Sequence, residues 1–140
     1  MPGVALVMRT YGPLAIPLRR GAVDTTALRR ATEALRQGAW LIVFPEGGIP
    51  AEGEVRPFHR GAAMLAARSG APMVPIAIVG TDDALPLGRI LPRRRPVTIY
   101  IGEPFTVPPD DRAALAQAGQ TAAAQIRALV QAARAEGAPR

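Results

Sequence analysis

The spacing of apolar residues changes repeatedly along this sequence, and that alternation restricts the fold more than any other feature. "LAIPL", 14–18, reads as a short strand, with Pro17 placing it at an edge or strand end. Asp24 is a candidate helix N-cap. After it, Ala27, Leu28, Ala31, Ala34 and Leu35 recur at helical spacing, Arg29, Arg30, Glu33 and Arg36 face away, and Gly38 fits the stop. "WLIVF", 40–44, is a continuous apolar run, the pattern of a strand covered on both faces. A Pro-, Gly- and Glu-rich loop follows over 45–57. "HRGAAMLAARS", 59–69, is apolar on most sides and reads as a buried helix ended by Gly70. "MVPIAIV", 73–79, reads as a second buried strand, interrupted by Pro75.

Residues 80–95 form a long loop ending in Arg93, Arg94 and Arg95, with "TDD", 81–83, as a turn or helix cap. In "VTIYIG", 97–102, Val97, Ile99 and Ile101 alternate with Thr98 and Tyr100, as in a half-buried strand. Asp110 or Asp111 can cap a last helix whose stripe is Leu115, Ala118, Ala122, Ile126, Leu129, Val130 and Ala133, with Gly119 as a place for a kink or split. Residues 1–12 fit either a strand or the end of a helix.

Strand, helix, strand, helix, strand, strand, helix is the order of an α/β fold: a mixed, mostly parallel sheet flanked by helices. At 140 residues the chain makes one domain, read here as 1–136 with a frayed tail at 137–140. In such sheets ligands bind beyond the carboxyl ends of strands. That favours 45–50, after strand 40–44, with 19–21, after strand 14–18, able to lie beside it.

Composition narrows the chemistry. The chain is 49% hydrophobic and 20% charged, as a globular protein is, but only 4% aromatic, so its core must rest on Ala, Leu, Val and Ile. It has no cysteine, which excludes disulfides, thiolate metal sites and cysteine nucleophiles. No run approaches the roughly 18 apolar residues of a membrane-spanning helix, and the amino terminus lacks a charged segment ahead of an apolar one, so no signal peptide is read. All 17 basic residues are Arg and the formal net charge is +6. Codon bias explains this; so does affinity for phosphate, anionic lipid or nucleic acid.

Several residues are candidates for chemistry. In "FPEGG" the glycines let backbone approach a ligand, N–H groups there can hold an anion, and Glu46 can position a cation or accept from a substrate hydroxyl. A turn with a solvated Glu46 reads equally well. Arg19 and Arg20 can grip a phosphate bidentately or stay solvated as a pair, and Arg56 is a third candidate. His59, the one histidine, has no Asp or Glu over 60–67 to form a dyad and reads as a helix-start residue. No metal-ligand spacing, P-loop, G-x-G-x-x-G or G-x-S-x-G is present.

Taken together, "AIPLRRG", "ALRRATEALRQGAWLIVFPEGG" and "RPFHRGAAMLAARSGAPMVPIAIVGT" resemble the glycerolipid acyltransferases, the lysophosphatidate (1-acyl-glycerol-3-phosphate) acyltransferases, over most of 12–106. The resemblance implies a glycerolipid-acyltransferase-like fold and acyl transfer from acyl-CoA or acyl carrier protein to a lysophospholipid hydroxyl, with no cofactor and no metal. The family's second block ends in an Arg, where Arg20 stands. Its third block, F-P-E-G-T-R, is matched by Phe44, Pro45, Glu46 and Gly47, and its fourth, V-P-x-x-I, by Val74, Pro75 and Ile78. Blocks two and three imply a glycerol-phosphate grip by Arg20, Glu46, Gly47, Gly48 and Arg56. Block four implies an acyl-donor site at Val74 and Pro75.

Two departures stand out. Gly48 and Ile49 replace Thr and Arg, which removes a charge-assisted phosphate contact of a type worth about 1.5–3 kcal/mol; Arg20 or Arg56 is the candidate to compensate. The first block, N-H-x-S-x-x-D, is absent: five residues after His59 stands Met64. In the family that block supplies the general base and the Asp that orients it. The expectation is therefore the carboxyl part of an acyltransferase, missing its amino-terminal strand and helix, or a homologue without turnover that still binds lipid or acyl donor. Peripheral contact with the inner face of the membrane, from the cytoplasmic side, is expected through apolar surface and Arg93–Arg95. A basic nucleic-acid-binding protein fits poorly, because the arginines are scattered and stacking aromatics are few.

Overall fold

A computed structural model describes residues 25–45, 58, 60–86, 88–109 and 111–137. The chain divides into two compact units, Met1–Ile42 and Val43–Arg140. The first contains helix α1, Thr25–Arg36. Ala27, Ala31 and Thr32 are its buried residues, Leu28, Ala34 and Leu35 are half-buried, and Arg29, Arg30, Glu33 and Arg36 are exposed, so the expected stripe holds. Thr32 donates its hydroxyl to the Leu28 carbonyl at 2.9 Å, which satisfies a polar group that burial would otherwise penalise. At the helix end Gly38 N–H donates to Leu35 O and Ala39 N–H to Ala34 O, a Schellman closure that needs the positive φ of 86° that Gly38 supplies. Asp24 lies outside the described residues.

The second unit contains α2 (Gly61–Ser69), β1 (Ile76–Val79), α3 (Thr81–Ala84), β2 (Thr98–Ile101) and α4 (Arg112–Ala135). Helix α2 ends at Gly70, as expected. It packs on α4, and the core between them is built of small side chains: Ala63, Ala66, Ala67, Ala118 and Val107, with Met73, Phe105 and Leu115 against them. Alanine on both faces lets the two helices approach closely, the packing available to a chain poor in aromatics. Helix α4 is capped by Asp111, whose carboxylate accepts from Ala113 N–H at 2.8 Å. It runs unbroken through Gly119, so the helix is not split there, and a Cβ at that position would meet Phe58 only at 3.9–4.0 Å.

The sheet among the described residues has two strands. β1 and β2 pair antiparallel, with Ile76 opposite Ile101, Ala77 opposite Tyr100, Ile78 opposite Ile99 and Val79 opposite Thr98. No parallel pairing occurs among the described residues. Antiparallel neighbours need no crossover helix, and between β1 and β2 the helix described is the single turn α3. β1 begins after Pro75 and is buried on one face only: Ala77 and Val79 are buried while Ile76 and Ile78 are exposed. In β2 the expected burial of the aliphatics does not occur: Ile99 and Ile101 are exposed, as is Val97 just before the strand, Thr98 is exposed too, and Tyr100 is half-buried. Helix α4 packs on these strands, and Ala77 and Val79 are the buried residues of β1.

Residues 40–44, expected as a doubly covered strand, belong to no ladder among the described residues. Trp40, Ile42 and Phe44 are 95%, 81% and 71% exposed. An apolar run encodes readiness for burial, but a strand exists only with a hydrogen-bonded neighbour, and 14–18, the expected one, lies outside the described residues. Among the described residues no helix is long and apolar enough to cross a membrane.

Candidate functional site

The fourth block, Val74 and Pro75, is the predicted site segment that the structure describes. It lies between β1 and an outlying bridge in which Met73 N–H donates to Phe105 O at 2.8 Å and Phe105 N–H to Met73 O at 3.0 Å. Between this bridge and the Ile76–Ile101 pair, two residues, Val74 and Pro75, face three, Gly102, Glu103 and Pro104. The mismatch is a β-bulge, which bends the strand and leaves one backbone donor without a ladder partner. Gly102 N–H donates to Pro75 O at 2.8 Å, and Glu103 N–H is taken by the side chain of Gln125 on α4, at 3.1 Å. The bulge is thereby tied to the helix.

Gly102 lets Gln125 approach the bulge closely. A Cβ at that position would stand 2.8 Å from Gln125 Oε1 and 3.4 Å from both Leu129 Cδ1 and Pro75 O. Gln125 was not singled out by sequence reasoning. The available signal is a polar residue on the same helix face as Ala118, Ala122 and Leu129.

The pleat sends the two block-four residues to opposite faces. Pro75 is buried with Ala77 and Val79. Val74 is 40% exposed and lies with Ile76 and Ile78 on the outward face, beside Ile99 and Ile101 of β2. Ile78, the last position of V-P-x-x-I, is 44% exposed. Block four therefore presents a branched aliphatic surface that can pack against an apolar chain.

Arg20, Glu46, Gly47, Gly48, Arg56 and His59 lie outside the described residues, so the glycerol-phosphate grip is carried by sequence alone. Among the described residues no group of three His, Asp or Glu side chains gathers in a way that could hold a metal ion. Tyr100 is the one described group with a resolved titration shift. Partial burial, the charge of Glu136 and a hydrogen bond from its hydroxyl to Glu136 Oε2 at 3.4 Å raise its pKa above the usual 10.0. A depression of about 490 Å³ near the base of the 80–95 loop is lined by Asp83, Pro86, Arg93, Arg95, Pro96 and Gly137. Its mixed charge gives no single ligand preference.

Comparison with known proteins extends the sequence resemblance. The model of the Acyltransferase family matches residues 1–79, more than half of the chain. A chloroplastic 1-acyl-sn-glycerol-3-phosphate acyltransferase of Brassica napus is 38% identical over 86 residues, which cover 61% of this chain and 24% of that protein. A Pseudomonas aeruginosa protein of the same description is 41% identical over 49 residues, covering 35% of this chain and 19% of the relative. A lyso-ornithine lipid O-acyltransferase from the same bacterium is 34% identical over 122 residues, covering 75% of this chain and 47% of the relative. The chain thus spans between a fifth and a half of the length of these relatives. No solved structure matches it. With block-two, block-three and block-four residues in family order and the family model matching over most of that span, the chain belongs to the glycerolipid acyltransferase family.

Proposed function

We propose that the chain serves acylation of a lysolipid hydroxyl, with acyl-CoA or acyl carrier protein as donor and lysophosphatidate as the first acceptor to test. The family match over residues 1–79 carries this reading. In the reaction the acceptor hydroxyl oxygen attacks the thioester carbonyl, a C–O bond forms, the C–S bond breaks, and the thiol leaves with the proton. Arg20, Glu46, Gly47, Gly48 and Arg56 hold the glycerol phosphate. Val74 and Pro75 shape the donor site, Val74 by packing its exposed isopropyl group on the donor and Pro75 by fixing the bulge. No metal or cofactor enters the scheme. The protein works from the cytoplasmic side, in peripheral contact with the inner face of the membrane.

The residues of this chain include no H-x-x-x-x-D pair to deprotonate the hydroxyl, and loss of such a base lowers rates by about 10²–10⁴. The 140-residue chain is therefore expected to bind lysophosphatidate while transferring negligible label from acyl-CoA. Arg56→Ala should weaken that binding about tenfold or more, as loss of one charge-assisted phosphate contact does. Robust turnover would refute the argument from the missing base; unchanged binding by Arg56→Ala would remove that residue from the grip.

The lyso-ornithine lipid relative, aligned over a longer stretch than the Brassica protein, favours a second acceptor. Competition between lysophosphatidate and lyso-ornithine lipid for the same chain separates the two. A phosphate-selective site retains lysophosphatidate, whereas an ornithine-selective one releases it.

A further inference from the structure

After α3, Leu85 and residues 88–92 are exposed, and the chain comes back on itself at Arg93. Arg93 N–H donates to Ala84 O at 2.6 Å, which closes the neck of the loop. Within it Arg89 N–H donates to Pro86 O at 3.1 Å, forming a turn, and Pro86 and Pro92 restrict the backbone on either side. A short excursion with its ends held together is a compact surface loop rather than a slack connection.

The side chains it presents are unusual for a surface loop. Ile90 is 92% exposed and Leu91 78% exposed, adjacent in sequence at the tip. Arg89 stands on one side of them and Arg93, Arg94 and Arg95 on the other, all exposed. From Ala84 to Gly102 there are four arginines and no carboxylate. Asp82 and Asp83 lie on α3 at the base, and Asp83 shares a depression with Arg93 and Arg95, so part of their charge is balanced there. Arg89 and Arg94 do not line it. The loop then runs directly into β2, whose outward face carries Val97, Ile99 and Ile101.

We infer that residues 88–95 are an anchor for an anionic lipid surface, with Ile90 and Leu91 entering the acyl region and the flanking arginines seated among headgroups. The pairing of an aliphatic tip with a collar of one charge selects this occupant. A protein partner would need complementary carboxylates around an apolar pocket. Nucleic acid would use the arginines and leave Ile90 and Leu91 in water. Arginine suits a headgroup collar because its guanidinium binds phosphate bidentately and stays charged. The inference rests on the peripheral membrane contact proposed above and deepens it by joining Arg89 and the aliphatic tip Ile90 and Leu91 to Arg93–Arg95, and it can fail while acyl transfer stands.

The test uses the full 140-residue chain and vesicles of phosphatidylcholine with and without phosphatidylglycerol. Co-sedimentation should be strong with phosphatidylglycerol and weak without it. Arg93→Gln, Arg94→Gln and Arg95→Gln together should lower affinity roughly 100-fold, about fivefold for each basic residue. Ile90→Ser with Leu91→Ser should lower it at least about tenfold, with the circular dichroism spectrum unchanged. In a Trp40→Phe background, Leu91→Trp should shift its emission to the blue on vesicles and be quenched by lipids brominated in the acyl chain. Vesicle binding that survives both sets of loop substitutions would overturn the anchor while leaving membrane contact in place. Absence of vesicle binding by the unmodified chain would overturn both. Arginine-dependent binding to DNA that ignores Ile90 and Leu91, without vesicle binding, would replace the lipid surface with nucleic acid.

Discussion

Gly102 is the residue on which the packing of the block-four segment turns. Introducing a methyl group there drives Gln125 Oε1 from its place, and with it goes the partner of Glu103 N–H. Gly102→Ala should therefore cost about 0.5–1.5 kcal/mol in denaturant unfolding, the net worth of one hydrogen bond, since water can reach the exposed Glu103 N–H. Gln125→Ala removes the same hydrogen bond, so the two losses should not add, and a double-mutant cycle measures the shortfall. Tyr100 offers an independent residue-level check. Its phenol is held neutral by partial burial and by Glu136, so the folded protein binds that proton more tightly than the unfolded chain. This contribution to stability is complete below 10.0 and is lost as the pH rises through the folded value. In a Tyr11→Phe background, phenolate absorbance should titrate above 10.0, and Glu136→Gln should bring the midpoint back toward 10.0.

Elements that end through their own residues were legible in the sequence. Gly38, Gly70 and Asp111 stop or start helices by backbone conformation or a side-chain cap, and both effects are local. The helix stripes were legible too, because buried positions recur at the helix's own spacing, as Ala118, Ala122 and Ala133 do. Strands were harder to read. "MVPIAIV" and "VTIYIG" carry large aliphatics on one side, and size alone pointed those side chains inward. The structure instead buries Ala77 and Val79, because α4 lies on that face. Which face a helix chooses is a tertiary fact that the strand does not encode. The difference predicts an asymmetry. Ile78→Thr and Ile99→Thr on the outward face should each change unfolding stability by no more than about 0.5 kcal/mol, whereas Ala77→Leu beneath α4 should cost about 1–3 kcal/mol through overpacking. Equal losses from both would show that the outward face is covered in solution. The bulge was illegible for a similar reason: it is a relation between 74–75 and 102–104, and neither segment alone records it.

At the scale of the whole molecule, function was read from the order of short segments rather than from any one of them. "FPEGG" was ambiguous alone. Between "AIPLRRG" and "VPIAIV" it became one block of a family pattern that the family model also matches. The spatial relation of Arg20, Glu46, Gly47, Gly48 and Arg56 was not readable, since residues distant in sequence meet only through folding. Charge, by contrast, is a property of the whole chain. With 17 arginines, no lysine and one histidine, binding to anionic vesicles should be nearly constant between about pH 6 and pH 9, because guanidinium groups do not titrate there. It should fall steeply toward 1 M salt, where the screening length shrinks to about 3 Å. A strong pH dependence would point to His59 instead. The neck at Ala84 and Arg93 has a further consequence, for how a chain of this kind can diverge. The two ends of the excursion are fixed by the body, and doubling the length of a closed loop costs only about 0.6 kcal/mol. Insertions at its tip should therefore leave the fold beneath intact, as a longer cord leaves a knot, and unfolding stability of such variants is the measurement that checks it.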